Sequence, residues 1–286
     1  MKKLNSFLVV GGDSRQLYVA DYLESKGYDV SVYGFDDKKR KNTDRISNKA
    51  DAVILPLPVS KDGKHINSVN PIKETLDDLL TIFNNNIIIF GGMFDKGLEN
   101  KMKNKKIIYY DYFKREDVSV KNTVPTVQGI LKTIFDNVDY TVHSSKCAVF
   151  GYGRVAKITA DVLASLGADV TVCARKNSDL ANAEIKKLNS CLIHDFYKIC
   201  SEFDIIINTV PSLVIDEKII GNLKRECLII DVSSAPYGTD FAAAYHFGIN
   251  AVQCPSLPGK VAPKTAGKII GEAIVNILKE EDLCED

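Results

Sequence analysis

The segment Cys147-Ala-Val-Phe-Gly-Tyr-Gly-Arg-Val-Ala156 decides the fold of the second half of the chain. Four apolar residues, typical of a buried strand, lead into a Gly-x-Gly-x-x-Ala turn, and a helical pattern follows to Leu166. In such a turn the first glycine permits a tight bend and the second lets the backbone approach a pyrophosphate. The small Ala156 lets helix and strand pack closely. The segment therefore predicts a Rossmann-type dinucleotide site on a helix N-terminus. A turn with coincidental glycines is the alternative.

The next predicted strand, residues 169–173, bears on the choice of dinucleotide. Sites that prefer NAD carry an Asp or Glu near the end of this strand, where it accepts a hydrogen bond from the ribose 2′-OH. Here the strand is followed by Ala174-Arg175-Lys176. These two cations can pair with a 2′-phosphate, the arginine through two parallel hydrogen bonds. NADP is favoured over NAD, and two solvated surface cations are the alternative.

Further cofactor contacts are expected from loops at the carboxyl ends of later strands, predicted at residues 204–208 and 228–231, because ligands of open parallel sheets collect at that edge. The predicted cofactor-binding residues are Gly151, Tyr152, Gly153, Arg154, Val155, Ala174, Arg175, Lys176, Thr209, Val210, Pro211 and Ser233.

The first half of the chain alternates short apolar runs with helical patterns. Continuous apolar strands separated by helices indicate a parallel sheet covered on both faces. Strands are predicted at residues 7–10, 29–33, 52–55, 87–90 and 107–109, and helices at 17–25, 71–83, 122–138 and 265–280. We expect an α/β fold of two parallel-sheet lobes, the second of Rossmann type, with a cleft between them.

Two loops of the first half and of the C-terminal region are candidate anion sites. Gly11-Gly-Asp-Ser-Arg-Gln16 joins a strand to a helix, so its N–H groups and Arg15 are suited to an anion. A second dinucleotide site with Asp36 as the ribose acid is an alternative, which the absent Gly-x-Gly-x-x-Gly spacing disfavours. Residues 258–265, which we interpret as a loop before the last helix, bring two lysines to a helix N-terminus.

Composition narrows the class of protein. The 286 residues carry 37 Lys+Arg against 37 Asp+Glu, a balance that argues against a nucleic-acid binder. The seven cysteines form no CxxC pair and no metal-spaced cluster, so we expect no metal site and a reducing, cytoplasmic location. No apolar run approaches the ~18 residues that span a bilayer, and the N-terminus lacks a signal-peptide pattern.

Several motifs in order along the chain resemble the A-subunit family of dipicolinate synthase from endospore-forming bacteria. They are Gly11-Gly-Asp-Ser-Arg-Gln16, Leu55-Pro-Leu-Pro-Val-Ser60, Gly151-Tyr-Gly-Arg154, Ala174-Arg-Lys176, Asp204-Ile-Ile-Ile-Asn-Thr209, Gly238-Thr-Asp-Phe241 and Leu257-Pro-Gly-Lys-Val-Ala-Pro-Lys-Thr-Ala-Gly267. Where the family usually has Pro-Thr-Ala-Glu-Gly, this chain has Pro125-Thr-Val-Gln-Gly129, so Gln128 cannot act as an acid or base there.

The resemblance implies an NAD(P)-dependent oxidoreductase acting on CH–CH or CH–NH bonds. It would oxidise dihydrodipicolinate to dipicolinate, pyridine-2,6-dicarboxylate, with NADP. The implied partner is the flavoprotein-like B subunit of dipicolinate synthase, in the mother-cell cytoplasm during sporulation; a homo-oligomer is also possible. The final loop and helix also resemble those of methylene-tetrahydrofolate and alanine dehydrogenases, where the last helix returns to the first domain. The expected domains are therefore 1–121 plus 264–286, on the substrate side, and 122–263, which binds NADP.

A dicarboxylate substrate needs two cationic or N–H-rich anchors. We expect Ser14 and Arg15 on one side, with Arg15 as a bidentate clamp, and Lys260, Lys264 and Thr265 on the other. Ser60 completes the predicted substrate-binding set. Lys260 is the candidate general base, on the condition that burial lowers its pKa.

Two other functions stay open. One is a 2-hydroxy- or amino-acid dehydrogenase of the same layout. Such enzymes commonly need a His with a carboxylate partner, and we expect no such partner for the four histidines (65, 143, 194 and 246). The other is a non-catalytic nucleotide-binding subunit.

Overall fold

The computed structural model describes residues 3–36, 40–83 and 87–284. The chain divides into two compact units, which we call unit 1 (residues 1–122 and 262–286) and unit 2 (residues 123–261). Each unit holds one six-stranded sheet in which all described pairings are parallel. The predicted α/β class with two parallel sheets is confirmed.

The sheet of unit 1 has the strand order β3-β2-β1-β4-β5-β6. Its strands are β1 Ser6–Val10, β2 Asp29–Tyr33, β3 Lys41–Asn42, β4 Ala52–Ile54, β5 Ile88–Gly91 and β6 Ile108–Asp111. The sheet of unit 2 has the order β12-β11-β10-β7-β8-β9. Its strands are β7 Lys146–Phe150, β8 Asp169–Ala174, β9 Asn189–Leu192, β10 Ile205–Asn208, β11 Leu228–Asp231 and β12 Asn250–Gln253.

The α-helices of the described residues follow most strands. They are α1 Ser14–Glu24, α2 Leu76–Ile82, α3 Lys96–Asn104, α4 Glu116–Lys121, α5 Thr123–Asn137, α6 Arg154–Ser165, α7 Asn177–Ile185, α8 Glu217–Ile220, α9 Phe241–Phe247, α10 Leu257–Val261 and α11 Pro263–Glu280. Short 3-10 helices cover Tyr112–Lys114, Ile193–Lys198 and Cys200–Glu202. None of the helices in these described parts of the chain is long and apolar enough to cross a membrane.

Both sheets are buried on two faces, as the continuous apolar strands predict. In β1, Phe7 and Val9 belong to a core cluster that includes residues of α1 and α11. The alternate residues Leu8 and Val10 belong to a second cluster that includes residues of α2 and α3. Successive side chains of a strand point to opposite faces, so each face of the sheet has its own core.

Two local predictions are wrong. The helix predicted over residues 71–83 begins only at Leu76, because Thr75 accepts a hydrogen bond from the Asp78 N–H while the Asp78 carboxylate accepts one from the Thr75 N–H. Residues 258–265 are not a loop: α10 covers most of the first part, and α11 already begins at Pro263.

Candidate functional site

The glycine turn of unit 2 is open. Gly151 follows β7 directly with φ +96°, and a Cβ there would lie 2.5 Å from Thr209 Oγ1, so both the bend and the close approach require glycine. Gly153 is the N-cap of α6, and no atom lies within 4 Å of the position a Cβ would take. Among the described residues no side chain caps α6. The turn thus fits a pyrophosphate.

This turn lies where the strand order reverses. In unit 2, β7 pairs with β8 on one side and with β10 on the other. Open α/β sheets bind ligands at this switch point. The structure brings Thr209 next to the turn, where its Oγ1 donates to Phe150 O at 2.7 Å.

The cations predicted for a 2′-phosphate lie directly after β8. Arg175 and Lys176 are both exposed, whereas Ala174 before them is buried. Neither cation forms an ion pair with a carboxylate of the described residues. The pair of side chains is therefore available to an external anion.

Among the other predicted cofactor residues, Tyr152 and Ser233 are buried and Val155 is half-buried, whereas Arg154 is exposed. Tyr152 is only 7% exposed and belongs to the core cluster that Val155 packs against, so these two offer backbone rather than side-chain contacts. Arg154 begins α6. The Ser233 hydroxyl donates to Asp231 Oδ1 at 2.6 Å and is buried.

Val210 and Pro211 follow β10, the first half-buried and the second exposed. Asn208 and Asp231 are buried where β10 and β11 end; the sequence placed them at the start of the expected pocket loops but did not assign them a binding role. A polar residue that ends an apolar strand was the available signal.

The glycine turn of unit 1 is filled by the chain itself. Asp13 is the N-cap of α1, and its Oδ1 accepts the Arg15 N–H at 3.0 Å. The Gly12 N–H donates to Asn67 O at 2.9 Å, and the Val69 N–H donates to Gly12 O at 3.0 Å. A carboxylate and residues 67–69 thus occupy the place that is open in unit 2, which argues against a second dinucleotide site there.

Arg15 is held inside unit 1, which corrects the expected bidentate clamp on substrate. Its Nε lies 2.9 Å from Asp13 Oδ1 and its Nη2 2.8 Å from Asp13 Oδ2. Nη2 also donates to Leu57 O at 2.7 Å. The Nε and Nη2 side of the guanidinium is therefore already hydrogen-bonded. Nη1 is the nitrogen without a partner among the described residues.

The same contacts set the charge of Asp13. Partial burial by itself raises the pKa of this carboxyl, but the hydrogen bonds and positive charge of Arg15 outweigh it and the net pKa is lowered. Asp13 is thus ionised at neutral pH and balances Arg15.

Ser14 and Ser60 lie in different surroundings. Ser14 is the exposed first residue of α1. Ser60 Oγ donates to Asp62 Oδ1 at 3.1 Å and accepts the Gly63 N–H at 3.0 Å. The hydroxyl of Ser60 is therefore engaged in its own loop.

The three residues predicted around 258–265 do not share one loop. Lys260 lies in α10 of unit 2, whereas Lys264 and Thr265 lie in the first turn of α11 in unit 1. All three are exposed. The burial on which the general-base role of Lys260 depended is absent. No side chain of the described residues caps α11, whose first residue is Pro263.

Two histidines have a carboxylate partner, against the expectation from the sequence. His65 Nδ1 lies 2.6 Å from Asp62 Oδ2. The hydrogen bond from His65 to Asp62 is the main cause that lowers the pKa of Asp62. The i,i+3 spacing of an Asp and a His in a turn was the available signal. His194 Nε2 also lies 3.3 Å from Asp195 Oδ2.

The described parts of the chain hold no group of three or more His, Cys, Asp or Glu side chains that could ligate a metal ion.

Two family models match the chain. The model for the N-terminal domain of the dipicolinate synthase A subunit matches residues 6–113, within unit 1. The model described as putative NAD(P)-binding matches residues 140–244, within unit 2. Unit 2 therefore contains an NAD(P)-binding domain, which includes the open turn.

Known proteins match over almost the whole length. The dipicolinate synthase A subunit of Bacillus subtilis (strain 168) is 33% identical over 282 residues, 95% of each chain. The crystal structure of that subunit from Bacillus subtilis superposes with a TM-score of 0.85 at 32% identity, covering 99% of this chain and 98% of that one. The crystal structure of the corresponding subunit from Bacillus halodurans gives 0.86 at 30% identity, covering 97% and 99%.

Proposed function

Because this chain belongs to the A-subunit family of dipicolinate synthase, we propose that it oxidises dihydrodipicolinate to pyridine-2,6-dicarboxylate with NADP. The flavoprotein-like B subunit of dipicolinate synthase would take part in this reaction, in the mother-cell cytoplasm during sporulation. The observation that carries the proposal is the open turn at Gly151–Gly153 in a chain of this family, followed by two unpaired cations after β8 among the described residues.

The oxidation removes a hydride and a proton from the substrate ring, and the ring becomes aromatic. NADP held at Gly151–Gly153 and by Arg175 and Lys176 would supply the hydride acceptor. The chain supplies orientation, because two anchored carboxylates leave the ring little freedom to rotate away from a reactive geometry.

The proposed cofactor contacts follow from unit 2. The free space at Gly153 and the uncapped start of α6 support binding of the pyrophosphate. Arg175 and Lys176 would bind the 2′-phosphate and thereby favour NADP over NAD.

The proposed substrate anchors lie in unit 1. Arg15 Nη1 would donate to one carboxylate, and its direction is fixed by Asp13 on the other side of the guanidinium. A Cβ at Gly267 would lie 2.4 Å from Arg15 O, so α11 packs on α1 close to Lys264 and Thr265. The N-terminal ends of the two helices are therefore close, which supports Lys264 and Thr265 as the second anchor. Ser14, at the start of α1, would join this group.

The proton acceptor has two candidates. One is Lys260, whose exposed side chain lacks the burial that the role of general base calls for. The His65–Asp62 pair is the specific observation that favours a second function, that of a 2-hydroxy-acid dehydrogenase, because a carboxylate at Nδ1 leaves Nε2 as a base. Turnover of 2-hydroxy acids that is lost in His65→Gln would favour that function; family membership argues against it.

The decisive experiment supplies purified chain with enzymatically generated dihydrodipicolinate and NADP, with and without the partner B subunit. We expect NADPH to appear in step with pyridine-2,6-dicarboxylate, one molecule for each. Turnover by the chain alone would exclude a non-catalytic nucleotide-binding role. No turnover even with the partner would refute the proposed function.

A further inference from the structure

A buried carboxylate lies at the carboxyl end of β11 in unit 2. Asp231 is 0% exposed, and four donors surround it. Its Oδ1 accepts the Ser233 N–H at 2.9 Å and the Ser233 hydroxyl at 2.6 Å. Its Oδ2 accepts Asn208 Nδ2 at 2.9 Å and the Gly238 N–H at 3.0 Å. No cation of the described residues forms a salt bridge with it, so these neutral donors replace its water.

The same network fixes the loop after β10. Asn208 Nδ2 also donates to Val210 O at 3.1 Å, while its Oδ1 accepts the Val210 N–H at 3.0 Å. A Cβ at Gly238 would lie 2.3 Å from Val210 O, so the two loops touch through their backbones. The Val214 and Ile215 N–H groups both donate to Gly238 O.

We call residues 209–212 and 233–238 the rim loops; they leave adjacent strands β10 and β11 at the edge where the open turn lies. We infer that Asp231 and Asn208 are positioning residues that hold both rim loops in one arrangement for the nicotinamide half of the cofactor. Both side chains are buried and need not touch the cofactor. The inference rests on the proposed cofactor site and does not depend on the identity of the substrate.

The Asp231 carboxylate bonds backbone N–H groups of residues 233–238 and, through Asn208, is linked to the backbone of Val210, which an apolar core residue cannot do. Burying a charge is costly unless every donor is aligned. If Asp231 only stabilised the fold, its loss would weaken every dinucleotide fragment alike. If it positions the rim loops, the adenosine half, bound at Gly151 and Arg175, would be spared.

The test compares two probes, NADP and 2′,5′-ADP, which lacks the nicotinamide half. In Asp231→Asn an amide NH2 would face N–H donors on one side, so at least one rim loop loses its acceptor. We expect the dissociation constant of NADP to rise about 10-fold and that of 2′,5′-ADP to change less than about 2-fold. Ser233→Ala, which removes one hydrogen bond, should raise only the NADP value, by about 3-fold.

A matched control lies at the amino end of β10, on the side of the sheet away from the rim loops. Asp204 accepts the Lys146 N–H at 2.8 Å and Lys224 Nζ at 2.7 Å, so Asp204→Asn should leave both dissociation constants unchanged. Equal weakening of both probes in Asp231→Asn, or unchanged NADP binding, would overturn the inference. Should that variant not fold, the ratio measured in Ser233→Ala decides by the same criterion. Binding of both probes by the unaltered chain tests the proposed cofactor separately.

Discussion

The two units have sheets of the same strand order, but their first glycine turns differ. The turn of unit 2 is open to a ligand, whereas the turn of unit 1 is filled by the chain itself. Read from β9 or from β3, both orders run third, second, first, fourth, fifth and sixth strand. Gly11 and Gly151 each follow the first strand with positive φ, and Asp13 and Gly153 each cap the next helix. In unit 1 a carboxylate occupies the helix start; in unit 2 that place is empty of side chains within the described residues.

This difference shows that strand order predicts where a switch point lies but not whether a ligand binds there. An anion binds a helix N-terminus only if the N–H groups there are unsatisfied and no negative charge is already present. Asp13 supplies that charge in unit 1 and turns toward Arg15, so the turn holds a cation in place instead of receiving an anion. The N-cap residue, together with residues 67–69 that bond to Gly12, thus accounts for the difference.

The largest expected effect comes from making the turn of unit 2 like that of unit 1. Gly153→Asp should weaken NADP binding by about 100-fold or more, since a carboxylate would stand against the pyrophosphate, while α6 gains a favourable cap. Isothermal titration and a thermal unfolding curve measure the two effects. Gly153→Ala is the control for bulk without charge, and equal losses in both variants would contradict the role given to the charge.

Removing the cation after β8 is expected to have the next largest effect. Arg175→Ala should weaken NADP by about 30-fold and NAD by less than about 2-fold, because only the 2′-phosphate loses a charge-assisted partner. Lys186, whose Nζ lies 2.6 Å from Asp161, is the matched control: Lys186→Ala should leave both values unchanged. Equal losses for the two dinucleotides in Arg175→Ala would remove Arg175 from the 2′-phosphate site.

In unit 1 the expected effect concerns Arg15 and the binding of the dicarboxylate. Lysine has three N–H donors, too few for two parallel hydrogen bonds to Asp13, one to Leu57 O and a further one to the substrate. Arg15→Lys should therefore weaken binding of pyridine-2,6-dicarboxylate by about 10-fold and leave NADP unaffected. Arg115 also holds two acidic partners, Asp117 and Glu280, and Arg115→Lys serves as control. Unchanged dicarboxylate binding in Arg15→Lys would rule out Arg15 as the anchor.

The smallest expected effect is a pH dependence. Arg15 lowers the pKa of Asp13 below its ordinary 3.8, so the ion pair stabilises the fold above that pH and is lost as pH falls through the lower, folded-state value. Asp13→Asn should reduce the free energy of unfolding by about 1 kcal/mol at neutral pH, and this difference should shrink below about pH 4. Urea unfolding at several pH values measures it; a difference that does not vary with pH would contradict the ion-pair account.

The sequence predicted most of the fold because the strands are continuous apolar runs and the Gly-x-Gly turn is local. It failed where tertiary contacts override local preference. Pro258 and Gly259 are poor helix formers, yet α10 forms because Leu257 packs against Gly129 of α5. The start of α2 at Leu76 was missed for a different reason: the Thr75–Asp78 capping box is a short local motif, and the sequence interpretation did not use it.

For the site residues, too, the sequence predicted local features but not tertiary contacts. Arg15 was recognisable as a cation at a turn, but whether its partner is substrate or Asp13 depends on side-chain directions that spacing does not specify. The contacts of Asp231 join residues up to 23 positions apart, beyond any local pattern.

One turn, that of unit 2, is expected to bind the dinucleotide, and titration of the whole chain with NADP measures the stoichiometry directly. We expect one NADP per chain in the unaltered protein and in Asp13→Asn, and about a tenth of that or less in Gly153→Asp at about ten times the dissociation constant of the unaltered protein. Two equivalents per chain, or one equivalent that survives Gly153→Asp, would contradict this assignment.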